Sequence, residues 1–200
     1  MKAVMKSVSP RICEKVANGN CTILVSKTAP KCGLPFKCYI YCTSAKPYLY
    51  KEANPPFELF LDSELYKGNG YDDRLFSGKV IGEFVCDWIT KITPNCDIDG
   101  CVNQYTHGYP AILGDNDCLS FNDMKAYLGN KKGYDWHISD LKIYGKPKEL
   151  SEFYRPCSYS GICYSCNRFR PNGTPNDKPN DFCDGEITRP PQSWFYVEEL

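Results

Sequence analysis

The pattern of apolar and polar residues near the N-terminus predicts a helix that turns directly into a strand. Ser9 is a good helix N-cap, and Pro10 suits the first helical position, where its missing N–H would be unpaired anyway. Between Ser9 and Gly19, apolar residues fall on one face at helical spacing: Ile12, Cys13, Val16 and Ala17. Gly19 suits the left-handed residue that ends a helix, and the β-forming residues 22–25 predict a strand. The turn at 19–21 therefore lies at a strand edge, where it can face a ligand.

Alternating apolar and polar residues predict further strands at residues 3–8, 36–43, 79–92 and 134–144. In the second of these, one face carries Cys38, Ile40 and Cys42, and the other face carries Lys37, Tyr39 and Tyr41. Gly82, inside the third strand, indicates a bulge or a close approach of backbones.

A second helix is expected to begin after Ser120, because Asp123 stands at capping-box spacing, and to end at Gly129. Residues 44–77 and 93–117 read as irregular insertions, since Pro, Gly and Asn interrupt them and a loop of this length is usually functional. Two hundred residues suit one domain with an appendage. We place the domain at 1–150 and the appendage at 151–200, with the final apolar segment packing back on the domain as a strand or strap.

Four segments of the first three quarters of the chain carry a family resemblance. They read MKAVMKSVSPRICEKVANGNCTI, FKCYIYCT, GKVIGEFVCDWI and GYDWHISDLKIYGKPKELSEF, in that order. Together they resemble ASCH-domain proteins of the PUA-like superfamily, in particular the small ones of phages and prophages. The resemblance implies an α+β fold, a small mixed β-barrel with flanking helices, and a cleft beside the first helix. It also implies binding of RNA or nucleotides, or, as in some relatives, an amidohydrolase acting on N4-acetylcytidine.

The chain departs from the cleft motif of that family, Gly-x-Lys-x-x-Glu-x-Arg. Gly19 and Thr22 are kept, whereas the lysine, glutamate and arginine positions are Cys21, Leu24 and Ser26. A thiol and an alkyl group cannot replace an ammonium group and a general base in the same way. The ligand-binding candidates that remain in the motif are therefore Gly19, Cys21, Thr22, Ser26 and the neighbouring Lys27.

Two further groups of residues are candidates for the site. Lys37, Tyr39 and Tyr41 share a strand face, and aromatic rings beside a cation suit base stacking and phosphate contact, although an exposed sheet face has the same pattern. His137 lies on the last predicted strand and is either a structural histidine or a site residue. As weak catalytic candidates we name Cys21, Thr22 and His137, because a thiolate beside an imidazolium is reactive.

Charge is balanced over the whole chain but not along it. The chain has 24 basic and 24 acidic residues, yet residues 1–51 hold nine Lys or Arg and one acid. A positive field beside a groove would attract phosphates. The alternative is that these lysines solvate exposed faces and pair with acids elsewhere in the fold.

Thirteen cysteines are a high count for 200 residues. Lysines and an arginine interrupt the N-terminal apolar residues, and no stretch approaches the ~20 apolar residues of a membrane span. We therefore expect a cytoplasmic protein, with no membrane partner, whose thiols are reduced; a cysteine cluster in that setting more often holds a metal than forms disulfides. Four cysteines beside or within strands are expected to be buried thiols: Cys32, Cys38, Cys42 and Cys86.

The C-terminal appendage contains the clearest metal-binding pattern. Its composition cannot bury much apolar surface, and its cysteines follow the spacing x5, x2 and x16: Cys157, Cys163, Cys166 and Cys183. We predict that they bind one structural Zn²⁺, the alternative being free or disulfide-bonded thiols. A second cluster of Cys96, Cys101, His107 and Cys118 matches no tight template, and an ordinary solvated loop explains it equally.

The function favoured by the sequence is a non-catalytic, RNA- or nucleotide-binding ASCH module encoded by a phage. The enzymatic alternative is an amidohydrolase acting on a modified nucleoside such as N4-acetylcytidine. A third alternative is an interaction factor whose tyrosine-rich loops hold a host protein.

Overall fold

The structure is a computed structural model, and it describes residues 2–44, 48–50, 59–61, 76–108, 118–156, 185 and 187–200. In the N-terminal half it contains β1 (Lys2–Val8), α1 (Pro10–Ala17), β2 (Ile23–Ser26), β3 (Phe36–Cys42), β4 (Tyr48–Tyr50), β5 (Leu59–Leu61), β6 (Val80–Cys86) and β7 (Ile89–Cys96). The second half contains β8 (Val102–His107), α2 (Phe121–Leu128), β9 (Gly133–His137), β10 (Ser139–Lys148), a 3-10 turn at Leu150–Glu152 and β11 (Trp194–Glu198).

Two larger sheets form the fold. The first has the order β10-β6-β3-β1-β11, and it is mixed because β1 and β3 run parallel while the other pairs are antiparallel. The second has the order β2-β9-β7-β8 and is antiparallel throughout. Strands β4 and β5 form a separate hairpin. Since sheets dominate and the described helices are two, the predicted mixed α+β class is confirmed.

The two faces of β3 are buried in different cores, as its alternation predicts. Cys38, Ile40 and Cys42 lie in the main core, which contains residues of both larger sheets and of α1. Tyr39 and Tyr41 lie in a second core on the opposite face of the first sheet, together with Phe153. A third core joins α2 to the outer face of the second sheet. The predicted burial of Cys38, Cys42 and Cys86 is confirmed, and Cys32 is half-buried.

Two predicted strands are each two strands in the structure. The strand predicted at 79–92 is interrupted at residues 87–88, and the one predicted at 134–144 is interrupted at Ile138. At both interruptions the chain leaves one large sheet and enters the other. The prediction of one continuous strand in each region is therefore wrong. Side-chain alternation predicts a strand but carries no information about which sheet the strand joins. Gly82 is confirmed as a close approach, because a Cβ there would lie 2.5 Å from the carbonyl oxygen of Lys142.

The insertions contain more regular structure than their composition suggests. Strands β7 and β8 form an antiparallel hairpin within the predicted insertion at 93–117, so its irregular reading is wrong for 93–96 and 102–107. Most side chains of this hairpin beyond Ile92 are exposed, which explains its polar composition. The β4–β5 hairpin lies within the other insertion, 44–77.

Both predicted helices are present, but their N-caps differ. At α2 the hydroxyl of Ser120 accepts a hydrogen bond from the N–H of Asp123 (3.2 Å), so the predicted cap is confirmed. Ser9 occupies the N-cap of α1, yet its side chain makes no capping hydrogen bond. Gly19 follows α1 with φ of +70°, the left-handed conformation that its position predicts.

The C-terminal segment returns to the first sheet. Strand β11 pairs antiparallel with β1, from Lys2 with Glu198 to Lys6 with Trp194, which confirms the predicted return as a strand. Cys157, Cys163, Cys166 and Cys183 lie outside the described residues, so their zinc site stays a prediction, as does the division at residue 150. In the described part of the chain, no helix has the length and apolarity needed to cross a membrane.

Candidate functional site

A cavity of about 200 Å³ lies beside the start of α1. The end of β1 and the first residues of α1 form one wall, β2 forms another, and the segment that leads into α2 covers it. Its lining residues are Lys6, Ser7, Val8, Ser9, Ile12, Leu24, Val25, Cys118, Leu119 and Tyr127. The cavity therefore lies where the sequence predicts a cleft, beside the first helix.

Lys6 is the unusual residue of this cavity. Alternation along β1 puts it on the same face as Val4 and Val8, which belong to the main core, and it is only 3% exposed. Its Nζ lies 4.4 Å from the centre of the Trp136 ring, a cation–π contact. Among the described residues, no carboxylate forms an ion pair with Lys6 and no acceptor takes a hydrogen bond from it. A buried cation without an anionic partner is rare in proteins, because its lost hydration is not compensated.

Burial lowers the pKa of Lys6 from 10.5 to about 8. The nearby thiols of Cys38 and Cys86 act in the opposite direction. Burial also raises the pKa of both thiols, that of Cys86 to about 12, so they are neutral near pH 8. Lys6 is therefore mostly protonated at neutral pH and loses its charge as the pH rises through 8.

Basic side chains also lie at the outer wall of the cavity. The Nζ of Lys27 lies 4.7 Å from the ring centre of Tyr127, a residue of α2 that lines the cavity. Lys15 of α1 donates a hydrogen bond to the carbonyl oxygen of Cys118 (2.9 Å). Lys6, Lys15 and Lys27 therefore lie in the lining or against it, and all three come from the basic segment 1–51.

A disulfide between Cys21 and Cys118 joins the turn after α1 to the segment that covers the cavity. The two Cα atoms are 5.1 Å apart, and 97 positions separate the residues in sequence. The expectation of reduced thiols is wrong for this pair. Because the sulfur of Cys21 is bonded, it is not a nucleophile in this structure, and the disulfide instead fixes Cys118 in the wall.

The remaining motif residues surround the cavity rather than line it. Leu24 is the motif position that contributes to the lining. Gly19 is exposed in the turn, and the carbonyl oxygen of Thr22 accepts a hydrogen bond from the N–H of Ile138 (2.8 Å). Ser26 is fully buried, and no described residue bonds its hydroxyl. Gly19, Thr22 and Ser26 are not among the lining residues of the cavity, and their part in ligand binding stays a prediction.

The proposed stacking face of β3 is buried. Tyr39 is 0% exposed, packs against Phe153 with ring centres 4.9 Å apart, and accepts a hydrogen bond on its hydroxyl from the N–H of Leu200 (2.8 Å). Tyr41 is 4% exposed. Lys37 is engaged by Glu83 and Glu199 at 3.8 and 3.3 Å. The structure thus gives Lys37 and Tyr39 partners within the protein, some of them from the C-terminal segment, and the ligand-binding role of Lys37, Tyr39 and Tyr41 stays a prediction.

His137 also has partners away from Cys21. Its Nδ1 lies 2.6 Å from Oδ1 of Asp87, and its ring stacks on Trp88 with centres 4.7 Å apart. Since Cys21 is bonded to Cys118, the pair of Cys21 and His137 does not exist in this structure.

Among the described residues, no three His, Cys, Asp or Glu side chains converge in a way that could hold a metal. Cys96 and Cys101 are exposed free thiols. His107 instead bonds Asp135 (Nδ1 to Oδ2, 2.6 Å), and Cys118 is in the disulfide. The possible second metal cluster, for which an ordinary solvated loop is the alternative, is therefore not assembled among the described residues.

Lys6 is the site residue that sequence reasoning missed. The signal was present, since Lys6 stands between Val4 and Val8 in strand alternation and so falls on the apolar face of β1. A lysine at such a position is buried unless the strand ends before it.

Comparison with known proteins agrees with this architecture. No protein-family model and no curated protein matches the chain. Among solved structures, the ASCH protein of Zymomonas mobilis is similar, with 15% sequence identity and a TM-score of 0.51, over 98% of this chain and 88% of that one. A serine-to-alanine mutant of the same protein is similar with 14% identity and the same TM-score, over 98% and 89% of the two chains. The chain therefore has the fold of ASCH proteins, as its sequence predicts.

Proposed function

We propose that this protein is a nucleotide- or RNA-binding ASCH module, and that the ligand enters the cavity beside α1 without being chemically changed. The observation that carries the proposal is a buried lysine, Lys6, that lines a cavity and has no anionic partner among the described residues. A ligand with phosphate groups supplies the missing negative charge.

The surroundings of the cavity support a polyanionic ligand. Lys15 and Lys27 lie on the outer wall, and the dipole of α1 directs its positive end toward Ser9 at the cavity edge. A positive field of this kind raises the local concentration of anions and speeds their association. It gives little preference for one base sequence over another, because it acts on phosphates.

The size of the cavity limits how much of the ligand it holds. Sites for whole drug-sized ligands have volumes of about 300–1,000 Å³, and this cavity is smaller, at about 200 Å³. It suits a single base or a phosphate group, with the remainder of the ligand outside. Lys15 and Lys27 then contact the part of the ligand that stays outside the cavity.

Binding of single-stranded RNA and of mononucleotides, measured by titration calorimetry at several salt concentrations, tests the proposal. Affinity is expected to fall as salt rises, because phosphate contacts release counterions. Lys6→Met is expected to weaken binding at least ten-fold. The matched control is Lys142→Met, an exposed lysine of β10 at the far edge of the first sheet. Absence of binding to both ligand classes at low salt would contradict the proposal.

The same protein preparation distinguishes binding from hydrolysis. An amidohydrolase needs a general base beside its lysine, and the described lining residues include no carboxylate. Release of acetate from N4-acetylcytidine that disappears in Lys6→Met would replace the binding proposal by the enzymatic alternative.

A further inference from the structure

We infer that the cavity receives a terminal phosphate group, a phosphomonoester, and that Lys6 is the residue that binds it. This inference rests on the proposed function and specifies which part of the nucleotide or RNA enters first. The alternative within that function is that a base enters the cavity while phosphates stay outside.

The charge of Lys6 is not balanced by any described residue. Burial of an ammonium is unfavourable unless an anion or a full set of acceptors compensates it, and Lys6 is 3% exposed. No carboxylate among the described neighbours of Lys6 compensates its charge. Those neighbours are the Trp136 ring and the thiols of Cys38 and Cys86. A base offers a buried ammonium neutral acceptors only, whereas a phosphate offers full charge and charge-assisted hydrogen bonds.

Packed side chains lie behind the ammonium of Lys6, so a ligand reaches it from the cavity side. Trp194 lies directly across from Lys6 in the pairing of β1 with β11, and Trp136 covers its ammonium. These two indoles are themselves in contact, with ring centres 6.0 Å apart. A phosphodiester in the middle of a strand needs an exit on both sides, whereas the ammonium of Lys6 is backed by Trp136, which is 0% exposed in the main core. A phosphate that reaches Lys6 is therefore the end of its ligand.

The N-cap of α1 has no side-chain hydrogen bond. Ser9 lines the cavity and occupies the N-cap, yet its hydroxyl makes no capping hydrogen bond. That hydroxyl and the positive end of the α1 dipole remain for an anion, as at other helix N-termini that bind phosphate. Ser7 does not contribute its proton, because its hydroxyl already donates to the carbonyl oxygen of Pro191 (2.6 Å).

The inferred site has a distinctive dependence on pH. Lys6 loses its charge as the pH rises through about 8, so phosphate binding falls there. The titratable groups around it are Cys38 on β3, Cys86 on β6 and Tyr127 on α2, and burial raises the pKa of all three. The Nζ of Lys27 lies over the Tyr127 ring, 4.7 Å from its centre. A phosphomonoester is doubly charged above about pH 6, so the change between pH 7 and 9.5 reports Lys6.

The experiment compares matched ligands with and without a terminal phosphate. Titration calorimetry measures AMP against adenosine, and a 5′-phosphorylated RNA hexamer against its 5′-hydroxyl form, each at pH 7 and 9.5. We expect AMP or the phosphorylated RNA to bind at least ten-fold more tightly than its partner at pH 7, and to lose about ten-fold or more at pH 9.5. The AMP pair identifies a free nucleotide as the source of the phosphate, and the RNA pair identifies an RNA end.

Lys6→Met is expected to abolish the preference for phosphate, and Lys142→Met to keep it. The wild-type comparison needs no variant, so the inference stays testable even if Lys6→Met fails to fold. Equal, pH-independent affinity for each matched pair would overturn the terminal-phosphate inference while leaving nucleotide binding intact. Absence of binding to all four ligands would overturn the proposed function itself.

Discussion

Lys6 and Lys37 stand on neighbouring strands of one sheet, in opposite electrostatic surroundings. On the outer face, Lys37 belongs to what we call the Glu83 cluster: Lys37, Glu83, Tyr144 and Glu199. Burial acts to lower the pKa of Lys37, but Tyr39, Glu83 and Glu199 together raise it. On the inner face, burial lowers the pKa of Lys6, and no acid opposes it.

Lys37 belongs to a polar cluster that is complete within the protein, whereas Lys6 belongs to a site without an anion for its ammonium. In the Glu83 cluster each charge has an opposite charge or a donor beside it, so the cluster is complete without a ligand. Lys6 has no carboxylate partner among the described residues, and it lines the cavity. Buried charges without partners are retained mainly where function requires them. The two lysines thus predict opposite effects of the same substitution on stability.

The largest effect is expected from Lys6→Met, which should stabilise the unliganded protein. The difference between a pKa of 10.5 in the unfolded chain and about 8 in the folded one corresponds to about 3 kcal/mol, at about 1.4 kcal/mol for each pKa unit. At pH 7 the wild type bears this cost in full, because Lys6 is charged in both states. We expect a gain of about 1–3 kcal/mol in the free energy of unfolding, measured by urea denaturation.

The pH dependence of that gain is a sharper test. Between pH 8 and 10.5 the unfolded chain binds the proton of Lys6 more strongly than the folded protein does, so the wild type recovers stability as the pH rises. The advantage of Lys6→Met should therefore shrink over this interval. A loss of stability at pH 7, or a pH-independent gain, would contradict an uncompensated Lys6.

A smaller loss is expected from Tyr144→Phe in the Glu83 cluster. The hydroxyl of Tyr144 donates to Oε2 of Glu83 at 2.6 Å, and burial together with this carboxylate raises the pKa of Tyr144. Removal of a donor to a charged acceptor should cost about 1–2 kcal/mol in urea denaturation at pH 7. The matched control is Tyr134→Phe, whose hydroxyl bonds no described residue. Equal losses in the two variants would show that the hydrogen bond contributes nothing.

The smallest effect is expected from Lys37→Met. Its side chain is 27% exposed, and its two carboxylate partners lie at 3.3 and 3.8 Å. Solvent weakens ion pairs of this kind, so the loss should be about 0–1 kcal/mol and should decrease with added salt. Thermal denaturation at low and high salt measures it. A gain similar to that of Lys6→Met would remove the contrast between the two faces.

Local sequence signals predicted most single elements because each has a local physical cause. Pro10 and Gly19 bound α1, and Ser120 caps α2 through a residue three positions away. Alternation identified both faces of β3 because each face is buried in its own core. The breaks at residues 87–88 and 138 were missed because alternation continues through them while the chain changes sheets.

A cavity lies beside the first helix, where the sequence predicts a cleft, but most of the predicted site residues do not line it. The turn after α1 and strand β2 do border the cavity, and Leu24 lines it. Tyr39 and His137 were assigned to the ligand, whereas Phe153 and Leu200 contact Tyr39, and Asp87 contacts His137. Those partners are 50 or more positions away in sequence, so no local pattern could have revealed them.

The sequence by itself determined the α+β class, the helix–turn–strand unit beside the cavity and the basic character of the N-terminal quarter. These follow from spacing, caps and composition, which act over a few residues. The tertiary structure alone decided that Cys21 bonds Cys118, that the C-terminal strand pairs with β1, and that Lys6 meets aromatic rings rather than an acid. Such contacts join residues from distant parts of the chain, and only the packing of whole sheets brings them together.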